Sequence, residues 1–217
     1  MPELAGRVVV VSGATSASGR AAAGALVATG ARVIAVGRDA TKLAVLRQRH
    51  LTTEVCDLTD EADVARLAER VHDAHGRVDG VLHLVGGWRG GGGLAGQSDA
   101  DYRFLERALT ALRHVSRAFD DDLRASDAAR TAIVSSTAVD RPLAGGANYA
   151  AIKAASEAWM RAVAQGFAKN AREPALRAAS VIFRVKALDG LENALADAFV
   201  HLWHQDAATV NGTVIAL

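Results

Sequence analysis

The sequence has a single cysteine, Cys56, among its 217 residues. One thiol cannot form a disulfide within the chain, so packing must hold the fold together, and this composition fits a reducing compartment. Hydrophobic residues make up 50% of the chain and charged residues 23%. These proportions exclude the disordered and fibrous classes. We interpret Cys56 as a small buried apolar residue.

Charge blocks and long apolar runs are also absent. The 25 basic and 24 acidic residues leave a formal charge of +1, which gives no reason to expect binding to nucleic acid or to an anionic membrane. No apolar stretch approaches the ~20 residues that span a bilayer. No signal-peptide pattern precedes the first apolar run. We therefore expect a soluble cytoplasmic protein that forms one domain over residues 1–217.

Metal-ligand spacing is missing as well, so we predict no metal site. His201 and His204 lie three positions apart without a third ligand, and we interpret them as a solvated helix end.

Short apolar runs alternate with longer segments of helical period along the whole chain. Strands are predicted at residues 7–12, 32–36, 51–55, 81–85, 131–135, 179–183 and 213–217. Helices are predicted at residues 20–29, 40–49, 60–75, 99–123, 148–171 and 191–204. Because each parallel crossover needs a connection of helix length, this alternation predicts an α/β fold with an open seven-stranded parallel sheet covered by helices on both faces.

The loop after the first strand has the composition of a dinucleotide-binding turn. Its small residues let the backbone approach a pyrophosphate, and the N-terminus of the following helix attracts anions. The candidate cofactor residues in this turn are Gly13, Thr15, Ser16, Ala17, Ser18 and Gly19.

The ends of the next strands refine this prediction. Arg38 follows the second strand, where an arginine accommodates the 2′-phosphate of NADP, whereas the adjacent Asp39 suits NAD. We favour NADP(H) and keep NAD(H) open. Asp57, after the third strand, is expected to accept from an adenine amino group, to cap the next helix, or to do both. Leu58, Val85, Gly86, Tyr149 and Lys153 complete the predicted cofactor site.

Three residues suggest acid–base chemistry. Ser136 ends the fifth strand, Tyr149 follows 13 positions later, and Lys153 lies one helical turn further on. A phenol is a poor acid–base group at neutral pH, and a neighbouring ammonium lowers its pKa by stabilising the phenolate. The serine hydroxyl can hold a substrate oxygen, and the lysine can reach the ribose of a bound nicotinamide nucleotide.

In these residues the chain resembles the short-chain dehydrogenase/reductase family over essentially its whole length. The matching positions are Gly13, Gly19, Asp57, Ser136, Tyr149 and Lys153, in order and at family-like intervals. The resemblance implies a Rossmann-like doubly wound three-layer sandwich and hydride transfer between NADP(H) and a carbonyl or alcohol carbon. It also implies that Tyr149 is the general acid/base, that Ser136 orients the carbonyl, and that Lys153 lowers the tyrosine pKa and binds the ribose. A homodimer or homotetramer through helices 99–123 and 148–171 is a further implication.

The sequence departs from the family pattern at several positions. Ala17 replaces the middle glycine of the first turn, and His83 replaces an asparagine of the family's Asn-Asn-Ala-Gly segment. We leave open whether His83 is a satisfied core histidine or a proton-handling group. The family asparagine that holds a water in the proton relay falls near Ala108, so that relay must be absent or rebuilt. The loop that usually covers the substrate after the sixth strand is nearly deleted.

A glycine-rich segment at residues 86–94 follows the fourth strand. One interpretation is a mobile loop that closes over substrate, with Trp88 and Arg89 as substrate contacts. The other is a surface turn with Trp88 packed onto the body of the protein, and the sequence leaves both open.

Two other functions compete with an NADP-dependent carbonyl reductase or alcohol dehydrogenase. The altered fourth-strand motif, Ala108 and the short lid suit a nucleotide-binding scaffold or interaction protein that has lost catalysis. A dehydratase or isomerase that uses the Tyr149–Lys153 pair is the third possibility.

Overall fold

The fold is known from a computed structural model that describes residues 4–47, 51–169, 171 and 176–217. Its centre is a seven-stranded sheet in the order β3-β2-β1-β4-β5-β6-β7. The strands are β1 (Val8–Ser12), β2 (Arg32–Gly37), β3 (Thr52–Val55), β4 (Gly80–His83), β5 (Ala129–Ser136), β6 (Ala178–Val185) and β7 (Val214–Ala216). Every neighbouring pair is parallel. The predicted α/β fold with a seven-stranded parallel sheet is thus confirmed.

Eight α-helices lie in the described part of the chain, two more than the sequence pattern predicts. They are α1 (Ala17–Ala28), α2 (Ala40–Arg47), α3 (Glu61–His75), α4 (Asp99–Ala118), α5 (Asp120–Ala125), α6 (Ala147–Lys169), α7 (Glu192–His201) and α8 (Ala207–Val210). Short 3₁₀ turns occupy Thr137–Val139, Ala144–Gly146 and Leu202–His204. Residues 48, 49 and 170 of the predicted helices lie outside the described residues.

The predicted helix at 99–123 is wrong in one respect, because it is two helices. Phe119 ends α4 and precedes α5, with φ −112° and ψ 11°, and its side chain is fully buried. Asp120, Asp121 and Asp122 form the first turn of α5, where carboxylates stabilise a helix N-terminus through the helix dipole. The apolar spacing continues across the break, so periodicity alone cannot detect it.

The helices form two layers. Leu26 of α1, Leu43 of α2 and Phe199 of α7 belong to the core cluster on one face of the sheet. Leu67 of α3 and Val115 of α4 belong to the cluster on the other face, which Phe167 of α6 also joins. Both faces of the central strands are therefore covered, which explains why these strands are continuous apolar runs.

The sheet changes winding direction between β1 and β4, which are neighbours although three helical crossovers separate them in sequence. Ser12 at the end of β1 is in register with His83 at the end of β4, and His83 is in register with Ile133 of β5. Ligands bind at such a switch point in doubly wound sheets. None of the described helices is long and apolar enough to cross a bilayer.

The turn between β1 and α1 depends on a close backbone approach at Gly19. A Cβ atom added there would lie 2.5 Å from the Gly13 carbonyl oxygen and 2.6 Å from the Ala14 Cα. At Gly24, one turn further along the same helix, an added Cβ would meet nothing within 4 Å. There is thus no space for a side chain at Gly19, whereas Gly24 has space for one.

We expect Gly19→Ala to destabilise the protein by about 1–3 kcal/mol because the methyl group overlaps rigid backbone. Gly24→Ala is the matched control and should stabilise the protein by about 0.5–1 kcal/mol because the helix interior disfavours glycine. Urea denaturation of both variants measures the difference. Equal effects of the two substitutions would contradict the packing described for this turn.

Candidate functional site

A cleft of about 360 Å³ opens at the carboxyl ends of the strands around the switch point. It is lined by Gly13, Thr15, Ser16, Gly37, Arg38, Lys42, Cys56, Asp57, Leu58, Thr59, Leu84, Val85, Gly86, Phe104, Arg107, Ala108 and Ala111. Eight of these are candidate cofactor residues from the sequence. The chemically important residues that the sequence did not single out are Lys42, Thr59 and Arg107.

The first-turn residues divide into two groups. Gly13, Thr15 and Ser16 line the cleft, whereas Ala17, Ser18 and Gly19 are the first residues of α1 and do not line it. The Ser16 side chain accepts a hydrogen bond from the Gly19 amide at 3.0 Å and so caps α1. The cleft therefore has a capped helix N-terminus at one wall, as an anion-binding turn requires.

The residues after β2 place cations toward the cleft. Arg38 and Lys42 line it, but Asp39 does not. The Asp39 carboxylate instead accepts from the Lys42 backbone amide at 3.0 Å and lies 3.7 Å from the Lys42 Nζ. Bonding to Lys42 lowers the pKa of Asp39, first through its backbone amide. The Asp39 carboxylate is thus hydrogen-bonded to the backbone at the start of α2.

Asp57 lines the cleft but does not cap the next helix, so that part of its prediction is wrong. Asp60 caps α3, accepting from the amides of Ala62 and Asp63. Asp57 accepts from the Thr59 hydroxyl at 2.7 Å and from the Thr59 amide at 3.0 Å, and these bonds lower its pKa. Its other oxygen lies 3.5 Å from Arg107. Asp57 therefore orders the loop after β3 and forms an ion pair with Arg107 of α4.

Next to the cleft a smaller cavity of about 20 Å³ contains the predicted acid–base pair. Its lining includes Tyr149, Lys153, His83, Ala108 and the Val134 backbone region. The Lys153 Nζ donates to the Val134 carbonyl at 2.7 Å and lies 5.7 Å from the centre of the Tyr149 ring. The Ser136 side chain interacts with the Tyr149 phenol. The fold thus brings Tyr149 and Lys153 together in a cavity beside the cleft, with the Ser136 side chain next to the phenol, although Ser136 itself lines neither space.

The expectation that Lys153 lowers the pKa of Tyr149 is not met in this structure. Burial raises the pKa of the phenol, and the Ser136 side chain lowers it only in part. The ammonium is directed at the Val134 carbonyl rather than at the phenol. Burial also lowers the pKa of Lys153 from its ordinary 10.5 to about 8, although the Glu157 carboxylate works against this.

A fully buried carboxylate holds the catalytic helix on the sheet. Glu157 of α6 accepts from Ser135 of β5 at 2.7 Å and from Arg184 of β6 at 2.9 and 2.7 Å. Arg161, one turn along α6, donates to it at 2.8 Å. Burial alone would raise the pKa of Glu157, but the bonds from Arg184 and Ser135 and the nearby positive charges lower it. The carboxylate therefore stays charged and links three elements of the site.

His83 is buried, and neither ring nitrogen makes a hydrogen bond of ordinary geometry in the described part of the chain. The Ala108 backbone nonetheless interacts with the ring and acts to raise its pKa against the effect of burial. Both interpretations of His83 therefore stay predictions. Ala108 of α4 lines the same small cavity. The two positions that depart from the family pattern thus face each other beside Lys153.

The glycine-rich loop is tied to the segment before α6. The Gln97 amide donates to the carbonyls of Gly91, Gly93 and Gly145 at 3.0–3.2 Å, and its oxygen accepts from the Asn148 amide. A Cβ added at Gly90 would lie 2.4 Å from the Gly145 oxygen, so this contact requires glycine.

Trp88 and Arg89 lie on the outer side of this loop. The Trp88 side chain is 61% exposed, so it is not packed onto the body of the protein. Arg89 stacks on the Phe104 ring at 4.1 Å and lies 3.9 Å from Asp101. Neither residue lines the cleft or the small cavity, and their role in substrate binding stays a prediction.

Two other expectations concern the surroundings of the site. Residues 186–191 alone connect β6 to α7, so little chain is available there to cover a substrate. Cys56 is buried as predicted, and burial raises its pKa to about 12. Within the described ranges no three His, Cys, Asp or Glu side chains are grouped as metal ligands.

Comparison with known proteins agrees with this geometry. The family model described as short chain dehydrogenase matches residues 7–172, which is most of the chain. The chain belongs to the short-chain dehydrogenase/reductase family. The strand order and the cleft at the β1–β4 switch point are also those of a nucleotide-binding sheet.

Curated members of the family are similar over shorter stretches. The levodione reductase of Leifsonia aquatica is 36% identical over 88 residues, which are 37% of this chain and 33% of that protein. An uncharacterized oxidoreductase of Staphylococcus saprophyticus is 31% identical over 93 residues, 40% of each chain. The matched segment thus spans about a third to two-fifths of these relatives.

Solved structures of family members match over the full length. A metagenomic short-chain oxidoreductase in complex with NADP has a TM-score of 0.86 and 26% identity, covering 99% of this chain and 97% of that one. A short-chain dehydrogenase/reductase from Brucella melitensis has a TM-score of 0.82 and 20% identity, covering 99% and 96%. The second shows the fold alone.

The buried Lys153 should cost this family member stability below pH 8. Because its pKa falls from 10.5 to about 8 on folding, the folded chain disfavours the charged form that the unfolded chain keeps. The penalty is complete below pH 8 and disappears as the pH rises to 10.5. We expect Lys153→Met to stabilise the protein by about 1–2 kcal/mol at pH 7.

Urea denaturation at pH 7 and at pH 10 tests this sign, since the advantage of Lys153→Met should shrink at the higher pH. Lys169→Met, at the exposed end of α6, is the control. A stability difference for Lys153→Met that grows with pH would contradict the burial cost.

Proposed function

We propose that the protein is an NADP(H)-dependent oxidoreductase that interconverts a carbonyl compound and its alcohol. The observation that carries the proposal is that Tyr149 and Lys153 line a cavity beside the 360 Å³ cleft, with the Ser136 side chain next to the Tyr149 phenol. A hydroxyl donor, a phenol and an ammonium within one site are the groups needed to orient a carbonyl, donate a proton to its oxygen and stabilise the resulting phenolate.

The cleft residues fit a dinucleotide phosphate. The N-terminus of α1 and the backbone at Gly13 would hold the pyrophosphate, since no side chain obstructs the approach there. Arg38 and Lys42 would hold the 2′-phosphate, because both line the cleft while Asp39 is bonded to the start of α2. The NADP complex of the metagenomic relative supports this choice. NAD(H) remains the alternative cofactor. When bound, the nicotinamide supplies or accepts the hydride at the substrate carbon.

Each of the three residues then has a separate task. The Ser136 hydroxyl donates a hydrogen bond to the carbonyl oxygen and orients it. The Tyr149 phenol, kept protonated at neutral pH by its raised pKa, donates its proton to the same oxygen as the carbon is reduced. The Lys153 ammonium, which points at the Val134 carbonyl in this structure, would turn toward the tyrosinate and stabilise it once it forms. In the reverse direction the same groups remove the alcohol proton.

The substrate would enter beside the glycine-rich loop. The lid is short, and Trp88 of this loop and Leu143 before α6 are 61% and 76% exposed, which suits a substrate with a bulky apolar part. The name of the Leifsonia relative, a levodione reductase, supports a carbonyl compound as the substrate class. A homodimer or homotetramer through α4 and α6, and a single domain that carries both the cofactor and the substrate site, complete the proposal.

A nucleotide-binding scaffold without catalysis is the second candidate. Ala108 lacks the polar side chain that the family pattern expects, and the phenol pKa is raised rather than lowered. Oxidation of NADPH that depends on an added carbonyl compound separates the two, since a scaffold binds NADPH without consuming it.

Tyr149→Phe should lower turnover at least ~10²-fold, as expected on removal of an acid–base group. NADPH binding, followed by tryptophan fluorescence, should stay within about twofold because the ring is kept. Tyr102→Phe on α4 is the matched control and should turn over normally. Unchanged turnover in Tyr149→Phe would exclude the phenol as the proton donor.

Arg38→Ala should weaken NADPH binding ~10- to 100-fold, the value of a charge-assisted phosphate contact. Binding of NADH should change little, because it lacks the 2′-phosphate. Arg32→Ala, at the exposed amino end of the same strand, is the control for charge alone. Calorimetric titration with both nucleotides measures the ratio, and equal losses for NADPH and NADH would argue against the 2′-phosphate contact.

A further inference from the structure

Gln97, just before α4, bonds to three separate parts of the chain through one side chain. It is half-buried, although its neighbours on both sides are exposed. Its amide nitrogen donates to the carbonyls of Gly91, Gly93 and Gly145 at 3.1, 3.2 and 3.0 Å. Two N–H groups serve three carbonyls, so one of them is shared. The amide oxygen accepts from the Asn148 backbone amide at 3.1 Å.

The loop that Gln97 holds has a defined path. Three successive glycines, residues 91–93, have positive φ values, which L side chains rarely adopt. The Gly91 amide donates to the Gly145 carbonyl at 2.7 Å. At Gly90 an added Cβ would lie 2.4 Å from the same carbonyl oxygen. The glycines are therefore required by the turn and by its contact with the segment before α6.

Gln97 also caps α6 from a distance. This helix begins at Ala147, and the first amides of a helix have no partner within it. Gly146, which precedes the helix, has no side chain that could accept from them. Gln97 accepts from the Asn148 amide instead, and the Asn148 side chain donates to the Ser98 carbonyl at 3.2 Å. Since Ser98 caps α4, the starts of α4 and α6 are bonded in both directions.

Tyr149 follows directly after the capped residue. It lies in the first turn of α6, and a helix end frays when its amides lack partners. The anchor of α6 on the sheet, Glu157, lies about two turns further along. The position of the phenol relative to Ser136 therefore depends on what holds the first turn, and Gln97 supplies that contact.

We propose that Gln97 is a positioning residue that holds the first turn of α6 against the glycine-rich loop and so places the Tyr149 phenol at the substrate. This inference rests on the proposed reductase function. Residues 186–191 alone connect β6 to α7, so the loop before α4 takes over part of the substrate enclosure. Gln97 then joins the loop that contacts the substrate to the residue that donates the proton.

Gln97→Met tests the contact, because it keeps the length of the side chain and removes both the donors and the acceptor. It should lower kcat ~10- to 100-fold, since a small misplacement of a reacting group has an effect of that order. The Kd for NADPH should stay within about twofold because Gln97 does not line the cofactor cleft. Gln165→Met, on an exposed position of α6, is the matched control and should leave kcat unchanged.

Gln97→Glu separates the two halves of the contact. Its carboxylate still accepts from the Asn148 amide and is favoured at a helix N-terminus, but it has no N–H for the loop carbonyls. The cap should therefore remain while the loop is released, and kcat should stay lowered. A kcat at the parent level in Gln97→Glu would show that the loop has no part and would overturn the proposal.

Gly90→Ala disturbs the same contact from the loop side, because the added methyl group overlaps the Gly145 carbonyl. It should lower kcat, and Gly90→Ala combined with Gln97→Met should match Gln97→Met alone within about twofold, since the link is already broken. Gly24→Ala, where an added Cβ meets nothing within 4 Å, is the control. Losses that multiply in the double variant would mean independent effects and would contradict the link.

Amide hydrogen exchange of the protein without substrate gives a readout independent of turnover. The Asn148 amide should be protected in the parent protein, Gln165→Met and Gln97→Glu, and should exchange at least ~10-fold faster in Gln97→Met, the value of one hydrogen bond. Thermal denaturation checks that each variant is folded.

An unprotected Asn148 amide in the parent protein, or unchanged kcat in Gln97→Met, would overturn the proposal. If the parent protein reduces no carbonyl compound, the reductase function fails. The exchange rate of the Asn148 amide still decides whether Gln97 holds the first turn of α6, so the two failures are distinguishable.

Discussion

The geometry of the site depends on one buried carboxylate. Glu157 is fully buried, and Ser135 of β5, Arg184 of β6 and Arg161 of α6 all donate to it. A charge buried in this way is stable only while its partners stay in place. The contact therefore sets the position of α6 relative to the ends of β5 and β6. Ser136 is the next residue after Ser135, and Lys153 lies one turn before Glu157. The same contact therefore also positions these two candidate catalytic residues.

The same region contains buried polar and charged groups that lower the stability of the fold. Burial lowers the pKa of Lys153 to about 8, and among the described residues the His83 ring makes no hydrogen bond of ordinary geometry. Departures of this kind from ordinary core packing concentrate at functional sites. The surrounding structure compensates for them, since the strands on both sides of β4 contain fully buried apolar residues such as Val10 of β1 and Ala132 of β5.

Much of the fold could be predicted from the sequence because its signals are local. Buried parallel strands are apolar runs, and the crossovers between them are helical segments, so the alternation predicts the sheet. The break at Phe119 could not be found in this way, because the apolar spacing continues through it. The sequence also leaves open whether Asp57 caps α3, since Asp57 and Asp60 both precede the helix and only the path of the loop distinguishes them.

The candidate site, too, could be predicted from the sequence only in part. The positions of Ser136, Tyr149 and Lys153 along the chain predict their convergence, because strand ends and the following helix meet at one edge of the sheet. The direction of the Tyr149 pKa shift could not be predicted, since it depends on burial and on where the Lys153 ammonium points. The same applies to Asp39, whose neighbours in sequence suit either cofactor and whose bond to Lys42 appears only in the folded chain.

The two departures from the family pattern are best understood together. In the sequence, the absence of a polar residue at Ala108 and the presence of His83 are separate observations, 25 positions apart. In the fold both residues line the same small cavity, together with Lys153, Tyr149 and Ser156. The Ala108 side chain adds no polar group to this cavity, whereas the His83 ring adds one from β4. The fold therefore joins two departures that the sequence shows only as separate positions.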